Sequence, residues 1–307
     1  MSYRLVVPSR ERADWLMKRQ TNTLIKVGHL DPIVYIREDD SQIKLYEKLV
    51  ARFGGHIVMQ DPSALGAAQT YDSLIDQAVR DGVEHLIVLD DDLVFRAFNW
   101  RGDDQQTIHI PKEGMAGVLN MFSKLTCDEL PACSFTPVTK RTQRMGVNYA
   151  TPLMWTYSFY IPHFAKHPEH RYWQGKEIEA RCDLNLSLSL LTSGYLTAFM
   201  TRLFITDNVN NPGGCSTYRS IDLERQSVAY LKKKYPAYVK LHKMYGWVGD
   251  DKLERDAPII AYKKAFNERL FCSHFSYSKV SDFCNTHLKE HNARYDAFCQ
   301  EANNAGY

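Results

Sequence analysis

The sequence predicts an α/β fold wound on both faces of a parallel sheet. Three features of residues 1–95 predict it. Short apolar runs recur there, stretches with helical apolar spacing separate them, and the last run, Leu86-Ile87-Val88-Leu89, carries no polar residue at all.

Leu5-Val6-Val7 reads as a buried strand ending at Pro8-Ser9, and Trp15, Leu16, Leu24 and Ile25 predict one helix over residues 12–27. Ile33 to Ile36 is a second strand. Ser41 stands as an N-cap before Ile43, Leu45, Leu49 and Val50, and Gly54-Gly55 closes that helix. His56-Ile57-Val58-Met59 is a third strand. A helix over residues 66–79 puts Leu74, Ile75, Ala78 and Val79 on one face and ends at Asp81-Gly82. The fourth strand, Leu86 to Leu89, suits a sheet covered on both faces. Ligands of such sheets sit beyond the carboxyl ends of the strands. That rule points to Pro8-Ser9-Arg10, Arg37-Glu38, Gln60-Asp61 and Asp90-Asp91-Asp92.

The middle, residues 96–215, is less regular. It predicts a loop over 100–107, a helix near 114–125, and strands at Ala132–Val138 and Leu153–Ile161. Beyond Asn211-Pro212-Gly213-Gly214 the character changes, and residues 219–307 read as helical. Seven cysteines, odd in number and scattered, do not form a disulfide framework, and without a Cys-x-x-Cys pair they argue against a structural zinc site. No stretch reaches the ~20 apolar residues of a membrane span, and Met1-Ser2-Tyr3-Arg4 leads into a strand without signal-peptide architecture, so a cytoplasmic chain is expected. A net charge of +2 does not by itself announce a nucleic-acid binder.

Asp90-Asp91-Asp92 is the most informative segment. Three adjacent carboxylates at the end of an apolar strand repel one another unless a cation neutralises them. On an extended chain Asp90 and Asp92 share a side, where they can hold Mn²⁺ or Mg²⁺ and leave positions for phosphate. The competing reading is an exposed acidic turn. Arg10 and Arg12 follow the first strand, where an arginine can pair with phosphate. Gln69 and Asp72 open the third helix. Asp183 starts an apolar helix, as a cap or as a base. His163, His167 and His170 surround Pro168 and read as a loop. Lys140-Arg141-Thr142-Gln143-Arg144 is a basic loop, and the lysines of residues 230–247 interleave with tyrosines and Trp247, a pattern that suits phosphates and bases as well as a solvated face.

A strand followed by Asp-x-Asp after three β-α units, together with Val6-Val7-Pro8-Ser9-Arg10-Glu11-Arg12, resembles the nucleotide-binding half of GT-A (Rossmann-like) nucleotide-diphospho-sugar transferases. Cys182-Asp183-Leu184-Asn185-Leu186 with Gly194-Tyr195 resembles the helix that starts Glu-Asp and ends Gly-Tyr or Gly-Phe in that family, Cys182 departing from the usual Glu. The resemblance implies a metal-dependent glycosyltransferase domain over 1–215, with a nucleotide-binding half (1–95) and an acceptor half (96–215), and a helical extension over 216–307. It implies donor contacts at Pro8, Ser9, Arg10, Arg12, Asp39, Gln69, Asp72, Asp90 and Asp91, and metal ligands at Asp90, Asp92 and Asp207. It also implies a catalytic role for Asp183. The compact start and the Leu-Asp-Asp-Asp-Leu strand are similar to phage enzymes that glycosylate hydroxymethylcytosine or a related hydroxymethylpyrimidine. That resemblance implies a UDP-sugar donor, a double-stranded DNA acceptor, host cytoplasm, and acceptor contacts at Arg141, Arg144, Trp155 and Trp173. A glycan acceptor, nucleotidyl transfer and a non-catalytic DNA-binding role remain alternatives.

Overall fold

In the computed structural model, Tyr3–Pro8 (β1) pairs parallel with Ile33–Arg37 (β2), which pairs parallel with His56–Gln60 (β3); His85–Leu89 (β4) runs parallel along the other edge of β1. Helices Ala13–Lys18 (α1), Thr23–Val27 (α2), Ile43–Phe53 (α3) and Ala67–Arg80 (α4) make the crossovers. The structure describes residues 3–19, 22–60, 66–98, 107–137, 146–172, 176–206, 220–247, 250–270 and 277–306. Among them, no helix is long and apolar enough to cross a membrane.

The strands that follow are Val94–Phe98 (β5), Thr107–His109 (β6), Ala132–Pro137 (β7), Val147–Tyr149 (β8), Thr156–Tyr160 (β9) and Thr197–Thr206 (β10). They complete a mixed sheet of order β3-β2-β1-β4-β9-β7-β10-β5-β6, with β8 paired to β10. β9 runs antiparallel between β4 and β7. Alternation along each strand feeds two cores. Leu5, Val7, Ile87 and Leu89 enter one, and Val6, Leu86 and Val88 the other. The expected α/β class with both faces covered is therefore present, and β4 is buried at every position.

Met115–Ser123 (α5) and Ile161–Lys166 (α6) flank the sheet. Cys182–Thr192 (α7) supplies both cores, Leu184 and Leu188 to one, Leu186 and Leu190 to the other. It ends as the sequence anticipates. Gly194, at φ 91°, lets its own N–H bond Leu191 O (3.1 Å) and the Tyr195 N–H bond Leu190 O (3.0 Å).

Three local expectations change. The single helix over 12–27 is two helices, because Asn22 leaves helical geometry and accepts from Ile25 N (3.0 Å), while its amide donates to Leu16 O (2.9 Å). The cap of α3 is Gln42 rather than Ser41, and Asp40 instead accepts from Gln42 N (2.8 Å). Residues 219–307 are not all helical. Ile221–Lys234 (α8), Tyr262–Leu270 (α9) and Tyr277–Asn304 (α10) are, but Val239–Trp247 (β11) and Asp250–Ile260 (β12) form an antiparallel hairpin. Lys243 lies opposite Asp256 in the register and meets both it (3.0 Å) and Glu254 (3.1 Å) across the strands.

α10 closes the core through Tyr295 and Phe298. It also buries His291, whose ring nitrogens have no hydrogen-bond partner among the described residues. Burial, then the positive groups His287, Arg294 and Arg202, lowers its pKa to about 3. Between the unfolded value of about 6.5 and that folded value, the unfolded chain binds the extra proton. Stability from this group is thus complete above about pH 6.5 and is lost as pH falls. Lowering pH from 7 to 5 is expected to cost about 2 kcal/mol through His291. Urea unfolding of the wild type and of His291→Leu at both pH values measures it, as a shallower pH dependence in the variant.

Candidate active site

The acidic segment begins where β4 ends. Asp90 N–H still donates to Trp155 O (3.1 Å), and the chain then turns through Asp91 and Asp92. Thr23, at the start of α2, clamps that turn. Its N–H donates to Asp91 O (3.1 Å), its hydroxyl donates to Asp90 O, and the same oxygen accepts from Leu93 N (3.2 Å). Because the backbone turns, the extended-chain alternation that puts Asp90 and Asp92 on one side does not apply. Asp91 and Asp92 instead share Arg12, whose Nη1 donates to Asp91 Oδ1 (2.7 Å) and Asp92 Oδ2 (2.9 Å). Asp90 Oδ1 accepts from Tyr71 Oη (2.9 Å).

Arg12 is aimed by the loop after β1. Glu11 takes a left-handed φ of 51°, and its N–H donates to the buried Asp40 (2.7 Å). Arg12 N–H donates to Tyr46 Oη (3.1 Å), Tyr46 Oη lies 2.8 Å from Ser9 Oγ, and Ser9 donates to Asp91. Burial alone would lower the Arg12 pKa, but Asp91, Asp92 and Asp90 outweigh it and raise it. Asp91 and Asp92 are buried. Burial raises the Asp91 pKa, Arg12 opposes that, and Asp92 adds to it. Three carboxylates around one guanidinium leave an excess of negative charge that a divalent cation balances, so the donor set fits the hard oxygen-ligated metal implied by the sequence.

The start of α7 faces the same region. Tyr157, opposite Val88 on β9, has its hydroxyl pushed far up by burial and then by Asp183 and Asp90. Asp183 and Asp90 thus act on one buried phenol from two elements. Tyr71, Tyr157 and Tyr172 pack together there, with Tyr71 stacked on Tyr172 at 4.9 Å and edge-on to Tyr157 at 5.2 Å.

The other sequence candidates are placed as follows. Pro8 ends β1 and Arg10 follows Ser9, making no ion pair within 4 Å with a described residue. Asp39 is exposed and accepts both Arg37 Nε (2.7 Å) and Nη2 (2.6 Å). Gln69 is part-buried on the first turn of α4. Asp72 accepts from Tyr172 N (3.0 Å) and so fastens the loop before α7. Trp155 has φ 57°, and its ring packs on the core. Asp207, Arg141, Arg144 and Trp173 lie outside the described residues. Sequence reasoning gave no role to Thr23 or Tyr46, which carry no local signature, nor the Asp90 contact to Tyr71.

A cavity of about 800 Å³ opens at the amino ends of β1 to β4, lined by Arg4, Asp31, His56 and Glu84 among others. It is the opposite end of the sheet from the acids, and its charged groups already pair locally, Asp31 with His56 at 3.6 Å and Arg4 with Asp81 at 2.6 Å.

No family model and no curated protein matches the chain. Solved structures similar to it include S. aureus TarS 1-349 in complex with UDP, at 10% identity and TM-score 0.45, over 100% of this chain and 92% of that one. Another is glucosyl-3-phosphoglycerate synthase from Mycobacterium tuberculosis in complex with Mn²⁺, UDP and glucosyl-3-phosphoglycerate, at 11% and 0.44, over 84% and 88%. A third is the mannosyltransferase PcManGT from Pyrobaculum calidifontis with GDP-Man and Mn²⁺, at 11% and 0.45, over 76% of this chain and 64%, under two thirds, of that one. These likenesses are distant ones of architecture.

Proposed function

We propose that the chain is a metal-dependent GT-A glycosyltransferase that moves a sugar from a nucleotide sugar, a UDP-sugar, to an acceptor hydroxyl. The observation that supports this reading is the turn at the carboxyl end of β4, where the buried Asp91 and Asp92 share the half-buried Arg12 and Asp90 accepts from Tyr71 beside them. Asp92 and Asp90 would hold Mn²⁺ or Mg²⁺, which when bound neutralises the diphosphate leaving group as a Lewis acid. Ser9 and Arg12 fix the turn, and Arg10 supplies a cation toward the diphosphate. Asp183 would accept the proton of the acceptor hydroxyl as it attacks the anomeric carbon.

For the acceptor, the finer reading is 5-hydroxymethylpyrimidine in DNA, supported by the basic and aromatic composition of residues 230–247. Part of that charge is engaged within the chain. Lys243 pairs with two acids of β12, Lys232 donates to Val239 O (2.8 Å), and Lys234 donates to Asn185 Oδ1 (3.3 Å). Lys233 and Lys240 stay exposed.

The test is calorimetric titration with UDP-glucose, UDP and GDP, with and without Mn²⁺, followed by incubation with hydroxymethylated DNA or glycans. Metal-dependent binding and release of a nucleoside diphosphate are expected, whereas pyrophosphate exchange would indicate nucleotidyl transfer. Unchanged nucleosides with every donor would remove the DNA acceptor. Arg10→Ala is expected to raise the donor KM about tenfold, the equivalent of roughly 1.4 kcal/mol, with an unchanged melting temperature.

A further inference from the structure

Three histidines meet at the opposite end of the sheet from the acids. β9 pairs Thr156 with Leu89, beside the acidic turn, and Tyr160 with His85, at the far end of β4, so α6 begins a strand's length away from Asp90. His163 lies in α6, His167 follows that helix, and Glu169 and His170 belong to the 3-10 turn Pro168–His170. The ring centroids of His163, His167 and His170 are 4.8 to 5.3 Å apart, and Tyr195, fixed by the turn that ends α7, lies against all three.

The donor atoms are more telling than the rings. His167, Glu169 and His170 each offer a ligand atom, and these lie within 4.8 Å of one another. His167 Nδ1 is 3.1 Å from Glu169 Oε1, and His167 Nε2 is 3.2 Å from Tyr195 Oη. His163 Nε2 is 3.0 Å from His170 Nδ1, and both of these side chains are buried. In that pair one nitrogen must donate and the other accept, so the two tautomers are coupled; with His170 Nδ1–H donating to His163 Nε2, the contact orients His170 and leaves its Nε2 lone pair free for a metal. Imidazole nitrogens with one carboxylate suit a borderline divalent ion such as zinc, whereas the carboxylates at the β4 end suit Mn²⁺ or Mg²⁺.

We propose that His167, Glu169 and His170 bind a zinc-class ion, with His163 as the positioning residue for His170. His167 and Glu169 are part-exposed and exposed, so solvent completes the coordination. The absence of a Cys-x-x-Cys pair does not bear on a site held by imidazole and carboxylate. The ion fastens the segment after α6 beside Tyr195 at the end of α7. The same segment continues to Tyr172 of the tyrosine cluster.

The experiment treats the full chain with a chelator, adds back Zn²⁺ or Co²⁺, and measures metal content, affinity and the visible Co²⁺ spectrum. One zinc per chain is expected. The double variant His167→Ala, Glu169→Gln should bind at least tenfold more weakly and lose the Co²⁺ bands. His163→Gln should keep the bands but shift them, with affinity lowered ~10–100-fold as for other partners of metal ligands. Asp92→Asn should bind zinc as the wild type does. In the unmutated chain, zinc should also block carbethoxylation of His167, mapped by mass spectrometry, which keeps the test valid if a variant fails to fold. Substoichiometric zinc, equal affinity in the double variant, or unprotected His167 would each overturn the site.

Discussion

Asp92→Asn is expected to lower kcat by at least ~10²–10³-fold, the loss typical when one preorganised group facing developing charge is removed. It should abolish metal-dependent nucleotide binding and leave the metal-free fold as stable as before, or slightly more so. The asparagine keeps an oxygen for Arg12 Nη1, now 2.9 Å from Asp92 Oδ2. It also removes one of the buried negative charges that push the Asp91 carboxyl above its ordinary range, burial being the first cause. Loss of function without loss of stability separates a ligand from a structural acid. Calorimetry with Mn²⁺ beside thermal melts of the metal-free protein makes that separation. A variant that still turns over would remove Asp92 from the metal site.

The second large effect is on stability. Glu224 of α8 is fully buried, and its Oε1 accepts from Arg181 Nε (2.8 Å) and sits 3.5 Å from Arg255 Nη1 of β12. One carboxylate thus joins α8, the hairpin and the turn Lys176–Arg181 that leads into Asp183. Glu224→Ala removes the anion that the two guanidinium groups share and is expected to cost about 3 kcal/mol, the lower part of the range for breaking a buried pair, because both arginines retain some solvent access. Asp14→Ala, which breaks the exposed pair Asp14–Lys18, should cost under about 0.5 kcal/mol. Denaturant unfolding of the two variants makes the comparison. A Glu224→Ala variant as stable as Asp14→Ala would show that the pair holds nothing together.

β1, β2 and β4 were legible as apolar runs that suit a core on both faces, β3 at the sheet edge as an apolar run after Gly54-Gly55, and Gly194 announced its helix end because glycine adopts that φ without strain. The helix drawn through Asn22 failed for a contrary reason. A capping side chain outweighed apolar spacing, and propensity does not reveal which wins. The hairpin was misread because lysine and tyrosine suit an exposed helix and a charged ribbon equally, and only the partner strand, with Glu254 and Asp256, decides between them. At the site, the acids and Arg12 could be named from sequence, but not their mutual pairing. That depends on Thr23 turning the chain at Asp91, a contact spanning nearly seventy positions.

The position of β9 has a consequence for how the chain must be made. β1 to β4 and their crossovers are complete once Leu89 has been synthesised, and their pairings need nothing downstream. The outer edge of β4 has no neighbour until Thr156–Tyr160 arrives and slips between it and β7. A strand whose last four residues are all apolar therefore waits with unpaired backbone groups through the synthesis of residues 90–155, the condition under which nascent sheets recruit foreign strands. Expression at a slow elongation rate, or truncation before residue 156, leaves that edge as the place where aggregation begins.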